Sequence, residues 1–341
     1  MRLFLVLLAA LGVLLGLAGP ASAHGEDAQG VDADYLTTLT DVPVGVSASV
    51  VEGGSQLELR LSRAAEVVVL GETGEPFLRL TPDGAELNED SPYAWRTLDR
   101  RGITEVPADA DGVGEPRWTK TPGDPAAVYH EHRMHWTEPN PPPEVAAAPD
   151  DERRLRDWSV PLVVDGVPVA LTGTLDYLPG PSPWAWLPVG LLALAGTAVA
   201  LRGRLAAVVA CLVVVAADVV RTLGQGLAAA DATLGAVASA AGVAWIGWVL
   251  LLLAGVGVRR RRVGALVLAA VGGALVALAG GLPQVGVLGA SLPLTAWPDV
   301  LQRLAVTVSI GGGLGLLVGL VGAFSRLTPP APQPEPAAPP A

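Results

Sequence analysis

The stretch DWSVPLVVDGVPVALTGTLDYLPGPSPWAWLPVGLLALAGTAVALRGR, residues 157–204, decides how the chain is read. It opens with two runs rich in β-branched and aliphatic residues, Trp158 to Val164 and Pro168 to Tyr177. Asp165-Gly166 joins them, a dipeptide suited to the positive backbone angles of a tight hairpin. Pro179 to Pro183 follows as a short, stiff linker. Trp184 to Leu201 is apolar and uncharged, and Arg202 and Arg204 close it. That segment approaches the ~20 residues needed to cross hydrocarbon. Hairpin, proline joint, apolar segment and basic turn in this order predict an exported β domain set directly on a membrane helix.

Toward the N-terminus, strand-like segments recur at Val44 to Val51, Leu57 to Leu61, Glu66 to Leu70, Pro76 to Leu80, Ala85 to Leu87 and Ala127 to His132. Gly53-Gly54 and Pro82-Asp83-Gly84 punctuate them as turns. No helical period runs through this half. About seven or eight short strands over residues 24–183 predict an all-β immunoglobulin-like sandwich. Ahead of it, Arg2, the apolar run Leu3 to Leu17, Pro20 and the small residues Ala21-Ser22-Ala23 read as a secretory signal over residues 1–23. Cleavage after Ala23 makes His24 the mature N-terminus.

Toward the C-terminus, four more apolar runs follow: Leu205 to Val220, Leu234 to Val258, Val263 to Leu282 and Leu304 to Ser325. Together with Trp184 to Leu201 they predict a five-helix transmembrane bundle over residues 184–326. With the β domain outside, Arg202, Arg204, the run Arg259 to Arg262 and Arg326 all fall on the cytoplasmic side, as the excess of bases in cytoplasmic loops requires. Trp184, Trp186 and Trp297 suit interfacial belts. Residues 327–341 form a Pro/Ala-rich cytoplasmic tail that cannot bury a core. The charge divides likewise: 29 of the 33 acidic residues lie between His24 and Pro183, against 12 of the 22 basic ones. Nucleic acid is excluded as a partner for want of a concentrated basic surface; the lipid bilayer is the expected one. The single cysteine, Cys211, rules out an intramolecular disulfide and a cysteine-rich zinc site.

All four histidines fall in the exported half, at His24 and in the string Tyr129-His-Glu-His-Arg-Met-His-Trp136. On a strand His130 and His132 share a face; His135 is out of that phase and joins them only if the chain bends or bulges at Arg133-Met134. Imidazole nitrogens suit copper and zinc, and copper fits a nitrogen-rich set better. The free amine and ring of an N-terminal His24 can chelate one metal together, so His24, His130, His132 and His135 are the candidate ligands. Glu26, Asp27 and Glu131 could add an oxygen or orient a ring. Met134 offers a thioether if it turns the same way. The opposing reading has the histidines as polar residues bonded to their neighbours, and a third makes them a pH-sensing cluster.

The plan of signal peptide, N-terminal His24, exported sandwich and membrane module resembles bacterial periplasmic copper-resistance proteins and their membrane-fused relatives. The strings GEPFLRLTPDG, YHEHRMHW and DWSVPLVVDGVPVALTGTLDYLP resemble an uncharacterised group of actinobacterial membrane proteins with an exported β-sandwich domain. The first resemblance implies copper handling or sensing at the cell surface, with copper-trafficking proteins as partners. The back half carries no histidine, which speaks against copper passing through the spans. A structural or interaction module, and a transporter formed by the helices, are the rivals.

Asp218 and Asp231 are the acids within or beside the spans, and such acids mark functional sites by default. Asp218 and Arg221, three residues apart, can instead pair on one helix face. Trp245 and Trp248 read as packing residues, and Gly272-Gly273, Gly280-Gly281 and Gly311 to Gly313 as places of close helix contact. The chain holds no G-x-S-x-G elbow, phosphate-cradling loop or H-E-x-x-H, so an enzyme is not expected.

Overall fold

A computed structural model describes residues 34–121, 126–229, 232–260 and 264–327, the last five by backbone only. The signal peptide, His24, Glu26, Asp27, Asp231, Arg261, Arg262 and the Pro/Ala-rich tail lie outside the described residues.

The front half folds as ten antiparallel strands: β1 (Tyr35–Asp41), β2 (Val46–Val51), β3 (Gln56–Leu61), β4 (Val67–Leu70), β5 (Pro76–Thr81), β6 (Gly84–Asn88), β7 (Trp118–Lys120), β8 (Ala126–His130), β9 (Arg153–Val164) and β10 (Val167–Tyr177). A seven-stranded sheet runs in the order β1-β10-β9-β4-β5-β6-β7, and a three-stranded one in the order β2-β3-β8. Residues of both sheets bury their apolar faces in one core, among them Leu57, Leu59, Val69, Phe77, Trp158 and Val160. The Phe77 ring meets Tyr93 at 4.9 Å and Tyr129 at 5.3 Å between centroids, both edge-on. Such pairs contribute about 0.5–1.5 kcal/mol beyond their burial. Gly173 lies opposite Trp158 in the register, and a Cβ there would collide with the indole.

The expected hairpins form. Asp165 and Gly166 take φ of 48° and 79°, joining β9 to β10. The Asp165 carboxylate also accepts the Ala65 and Glu66 backbone N–H groups at 2.9 Å each, tying this turn to the start of β4. Strands β1 and β7 and two short helices, α1 (Pro92–Arg96) and α2 (Pro143–Ala147), were not expected from the sequence. Helix α1 has Ser91 as its cap, the hydroxyl accepting Ala94 N–H at 3.3 Å, and Pro92 at its first position.

The back half holds α3 (Leu187–Ala200), α4 (Arg204–Ala228), α5 (Leu234–Ala241), α6 (Ala244–Arg259), α7 (Ala265–Leu275) and α8 (Asp299–Leu327). A π-helical turn, Val276–Gly281, and a 3-10 segment, Leu282–Leu288, extend α7. Among the described residues four helices are long and apolar enough to cross a membrane, and a fifth counts if α5 and α6 are one span. The run Leu234 to Val258, expected as one span, is divided between these two helices. The two bend by 73°, and Gly242 ends α5 with φ of 51°, a conformation open to glycine. Small residues set the packing. Along α8, a Cβ at Gly311, Gly315 or Gly319 would run into the α3 backbone at Gly190, Leu194 or Ala198. Gly313 and Gly273 likewise bring α8 and α7 together backbone to backbone.

Candidate functional site

The histidine string is placed by three local decisions. Strand β8 ends at His130, so His132 lies beyond it in a turn, closed by Met134 N–H to the Glu131 carbonyl at 3.1 Å. The shared strand face expected for His130 and His132 is therefore not how they meet. The turn carries His135 back until its ring stands 5.6 Å from that of His132. Facing it, the loop after α1 winds round the Asp99 carboxylate, which accepts the backbone N–H groups of Arg101, Ile103 and Thr104 and the Thr104 hydroxyl. These bonds hold the Asp99 carboxyl below its usual range despite burial. The wound loop presents two carbonyls to the rings.

His132 Nε2 lies 3.0 Å from the Asp99 carbonyl, and a Cβ at Gly102 would press on the same ring. His135 is 2% exposed, with Nδ1 at 3.0 Å from the Glu131 carbonyl and Nε2 at 2.8 Å from that of Arg100. Burial, with the charges of His132 and Arg100, pushes it down to about 4 although both carbonyls favour protonation. A neutral ring donates once, so one carbonyl then faces a lone pair. His130 Nε2 meets Gln56 Nε2 at 3.2 Å, while Nδ1 is buried without a hydrogen-bond partner. Burial, then His132 and Arg100, lowers His130 as well, against the raising effect of the Ser55 backbone and Asp99.

Glu131 and Met134 are not placed as auxiliary ligands. Met134 is fully buried in the core. Glu131 is fully buried and accepts Arg133 Nε at 2.6 Å, Arg133 Nη2 at 2.7 Å and the Tyr93 hydroxyl at 2.6 Å. The Arg133 guanidinium lies over the Tyr93 ring at 4.9 Å. Burial and this carboxylate raise the Tyr93 hydroxyl far above its ordinary value. The string thus builds a buried ion pair beside the histidines. Among the described residues, no three His, Cys, Asp or Glu side chains are placed to share a metal ion.

A second polar centre lies inside the helix bundle. Helix α4 continues past Val220, so Asp218 sits well within it and is fully buried. Its Oδ1 accepts Arg221 Nε at 2.7 Å and its Oδ2 the Trp248 indole N–H at 2.7 Å. Trp248 is thus more than packing. Arg221 donates further to the Thr222 hydroxyl at 2.9 Å and the Ala240 carbonyl at 3.3 Å, while its own carbonyl accepts Gln302 Nε2 at 3.1 Å. Gly280, in the π-helical turn, leaves room for the Asp218 carboxylate: a Cβ there would stand 2.8 Å from Oδ1. The i, i+3 pairing of Asp218 with Arg221 was legible, as was close helix contact at Gly280; the parts of Trp248 and Gln302 were not.

A third feature joins the halves. Ser291, in the loop before α8, donates its backbone N–H at 2.7 Å and its hydroxyl at 2.8 Å to Asp34 Oδ1. The hydroxyl also lies 2.9 Å from the Leu178 carbonyl, and Leu178 N–H bonds the Asp34 carbonyl at 2.8 Å. A Cβ at Gly180 would collide with the Gly289 carbonyl. The loop is held from below by Arg303, which donates to the Val287 and Ala290 carbonyls, and by Ala296 N–H to Gly224.

Comparison of the chain with protein-family models, with curated proteins and with solved structures finds no match in any of the three.

Proposed function

We propose that this is a multi-pass membrane protein that carries an immunoglobulin-like β-sandwich on the extracytoplasmic side as an interaction module, locked to the bundle beneath it. The observation that carries the fixed seating of the β domain on the bundle is the Asp34–Ser291–Leu178 joint. The histidine string supports the interaction reading, since the His132 and His135 rings meet backbone carbonyls and the Glu131 carboxylate is bound by Arg133 and Tyr93. Arg202, Arg204, Arg259 and Arg260 lie at the end of the bundle away from the β domain, which supports a cytoplasmic position for that end. Helices α5 and α6 then form one broken span, giving five crossings.

A second reading is favoured by one observation: the buried His130 Nδ1, with the Ser55 backbone near its ring and no partner in full hydrogen-bond geometry, beside His132. It makes the protein an extracytoplasmic copper-binding protein for copper handling or sensing, with His24 supplying amine and ring and His130, His132 and His135 the remaining nitrogens. To bind there, a metal must displace the Asp99 and Arg100 carbonyls from two of the rings.

Metal analysis of the purified full chain, with its mature N-terminus fixed by intact mass, separates the two. The interaction reading expects no stoichiometric copper; about one Cu(II) per chain with nitrogen-dominated paramagnetic resonance would overturn it and support the copper site. Orientation is tested by single-cysteine labelling, with Cys211 replaced. A probe at Asp83 should react from outside intact cells and one at Arg260 only after permeabilisation; external labelling at Arg260 would refute the topology.

A further inference from the structure

We propose that a groove between α6 and α7 holds one anionic phospholipid, its phosphate on Arg260 and an acyl chain along Leu253, Val256 and Leu268. Where α6 ends and α7 begins, the two helices leave a cavity of about 600 Å³. Its walls are Leu253, Val256, Gly257, Ala265 and Leu268, and Arg260 is the charged residue among the described ones that line it. The volume falls within the ~300–1,000 Å³ of small-molecule sites. Leu253 and Val256 are 53% and 51% exposed, so these walls face out of the bundle.

An apolar trough that ends in a guanidinium fits an amphiphile with a fatty chain and an anionic head. The surrounding charge agrees. Ala207 at the start of α4, Val258 at the end of α6 and Ala265 at the start of α7 pack in one cluster, so Arg202, Arg204, Arg259 and Arg260 gather at the same end. Among the described residues of the bundle the acids are Asp218, buried within it, and Asp299, at the start of α8 on the opposite end. A zwitterionic lipid gains little from this field, and a free phosphate would leave the apolar walls wet. The inference rests on the membrane reading, because only a bilayer presents such a molecule from the side.

The full chain reconstituted in discs of mixed phosphatidylcholine and phosphatidylglycerol tests it by native mass spectrometry. One phosphatidylglycerol should be retained per chain, in preference to phosphatidylcholine. Arg260→Gln and Val256→Trp, both at exposed positions, should each lower that retention about fivefold or more with the melting temperature unchanged. Soluble glycerol 3-phosphate should not displace the lipid. Equal retention of both lipids, no loss in either variant, or displacement by glycerol 3-phosphate would overturn the proposal. A chain that alkaline carbonate strips from the bilayer refutes the membrane reading itself; a chain that stays in the bilayer but retains no phosphatidylglycerol refutes the lipid site alone.

Discussion

Asp34 and Ser291, 257 residues apart, are joined by two hydrogen bonds to a single carboxylate oxygen, from the serine backbone at 2.7 Å and its hydroxyl at 2.8 Å. One residue precedes the first strand and the other precedes the last helix, so the pair closes the molecule across its two halves. Hydrogen bonds to a charged group contribute about 1.5–3 kcal/mol each when buried and less where water reaches them. Asp34→Ala should therefore raise hydrogen exchange at the Ser291 amide about tenfold while the core of the β domain keeps its protection. Unchanged exchange there would show that the joint is held by the Gly180–Gly289 approach alone.

Acid should weaken the β domain through its histidines. His135 titrates near 4 in the fold and near its ordinary 6.5 when unfolded. The unfolded chain then binds more protons between these values, so stability present above pH 6.5 is lost as pH falls through about 4. A shift of this size amounts to about 3 kcal/mol, and His130, also lowered, adds in the same direction. Thermal melts of the full chain across this range check it. His135→Ala should lower the melting temperature at neutral pH and flatten the acid limb; a variant with the wild-type acid limb would remove His135 as its cause.

The Asp218–Arg221 pair should be costly to halve and cheap to remove whole. Arg221→Ala leaves the Asp218 carboxylate buried beside Trp248 and should cost about 3–5 kcal/mol. Replacing Asp218 and Arg221 together by leucine should recover most of that loss. Melting of the detergent-solubilised chain measures both; a double variant no better than the single would place an essential role on the charges themselves.

Close packing of α8 on α3 should be intolerant of bulk. At Gly315 a Cβ would collide with the Leu194 carbonyl and the Thr197 hydroxyl. Gly315→Leu should lower the melting temperature by an amount equivalent to ~1–3 kcal/mol or more. Gly196→Leu, at a position where a Cβ meets nothing, is the control and should be near neutral.

Much of the architecture was legible because it follows from short-range chemistry. Eight of the ten strands stand close to where alternation and turn residues place them, and Asp165-Gly166 and Pro82-Asp83-Gly84 make the turns expected of them. Strand β1 escaped because Tyr35-Leu-Thr-Thr-Leu-Thr-Asp41 is largely polar and draws its stability from pairing with β10. The spans were legible by length, while the break at Gly242 was not, since a glycine in an apolar run also serves close packing. The histidines were found, yet their surroundings were not. Nothing local in the sequence announces that Asp99 winds a loop which turns two carbonyls toward His132 and His135. The Ser91-Pro92 pair is a helix-start signal that could have placed α1, though not its contact with Glu131.

The sheet order carries a consequence for how the molecule is assembled. Strand β1 pairs with β10, Tyr35 opposite Tyr177, so the first strand made is the last to find its neighbour. A chain delivered from its N-terminus must hold β1 unpaired until nearly the whole β domain has followed it. Pairings so distant in sequence are slow to form. Closure of this edge therefore coincides with the arrival of the first apolar helix, ten residues after Tyr177 at Leu187. The Asp34–Ser291 contact waits longer still, for the loop before α8. Completion of the sheet and its fastening to the bundle are thus two separate steps, the second waiting for most of the helices to follow the first.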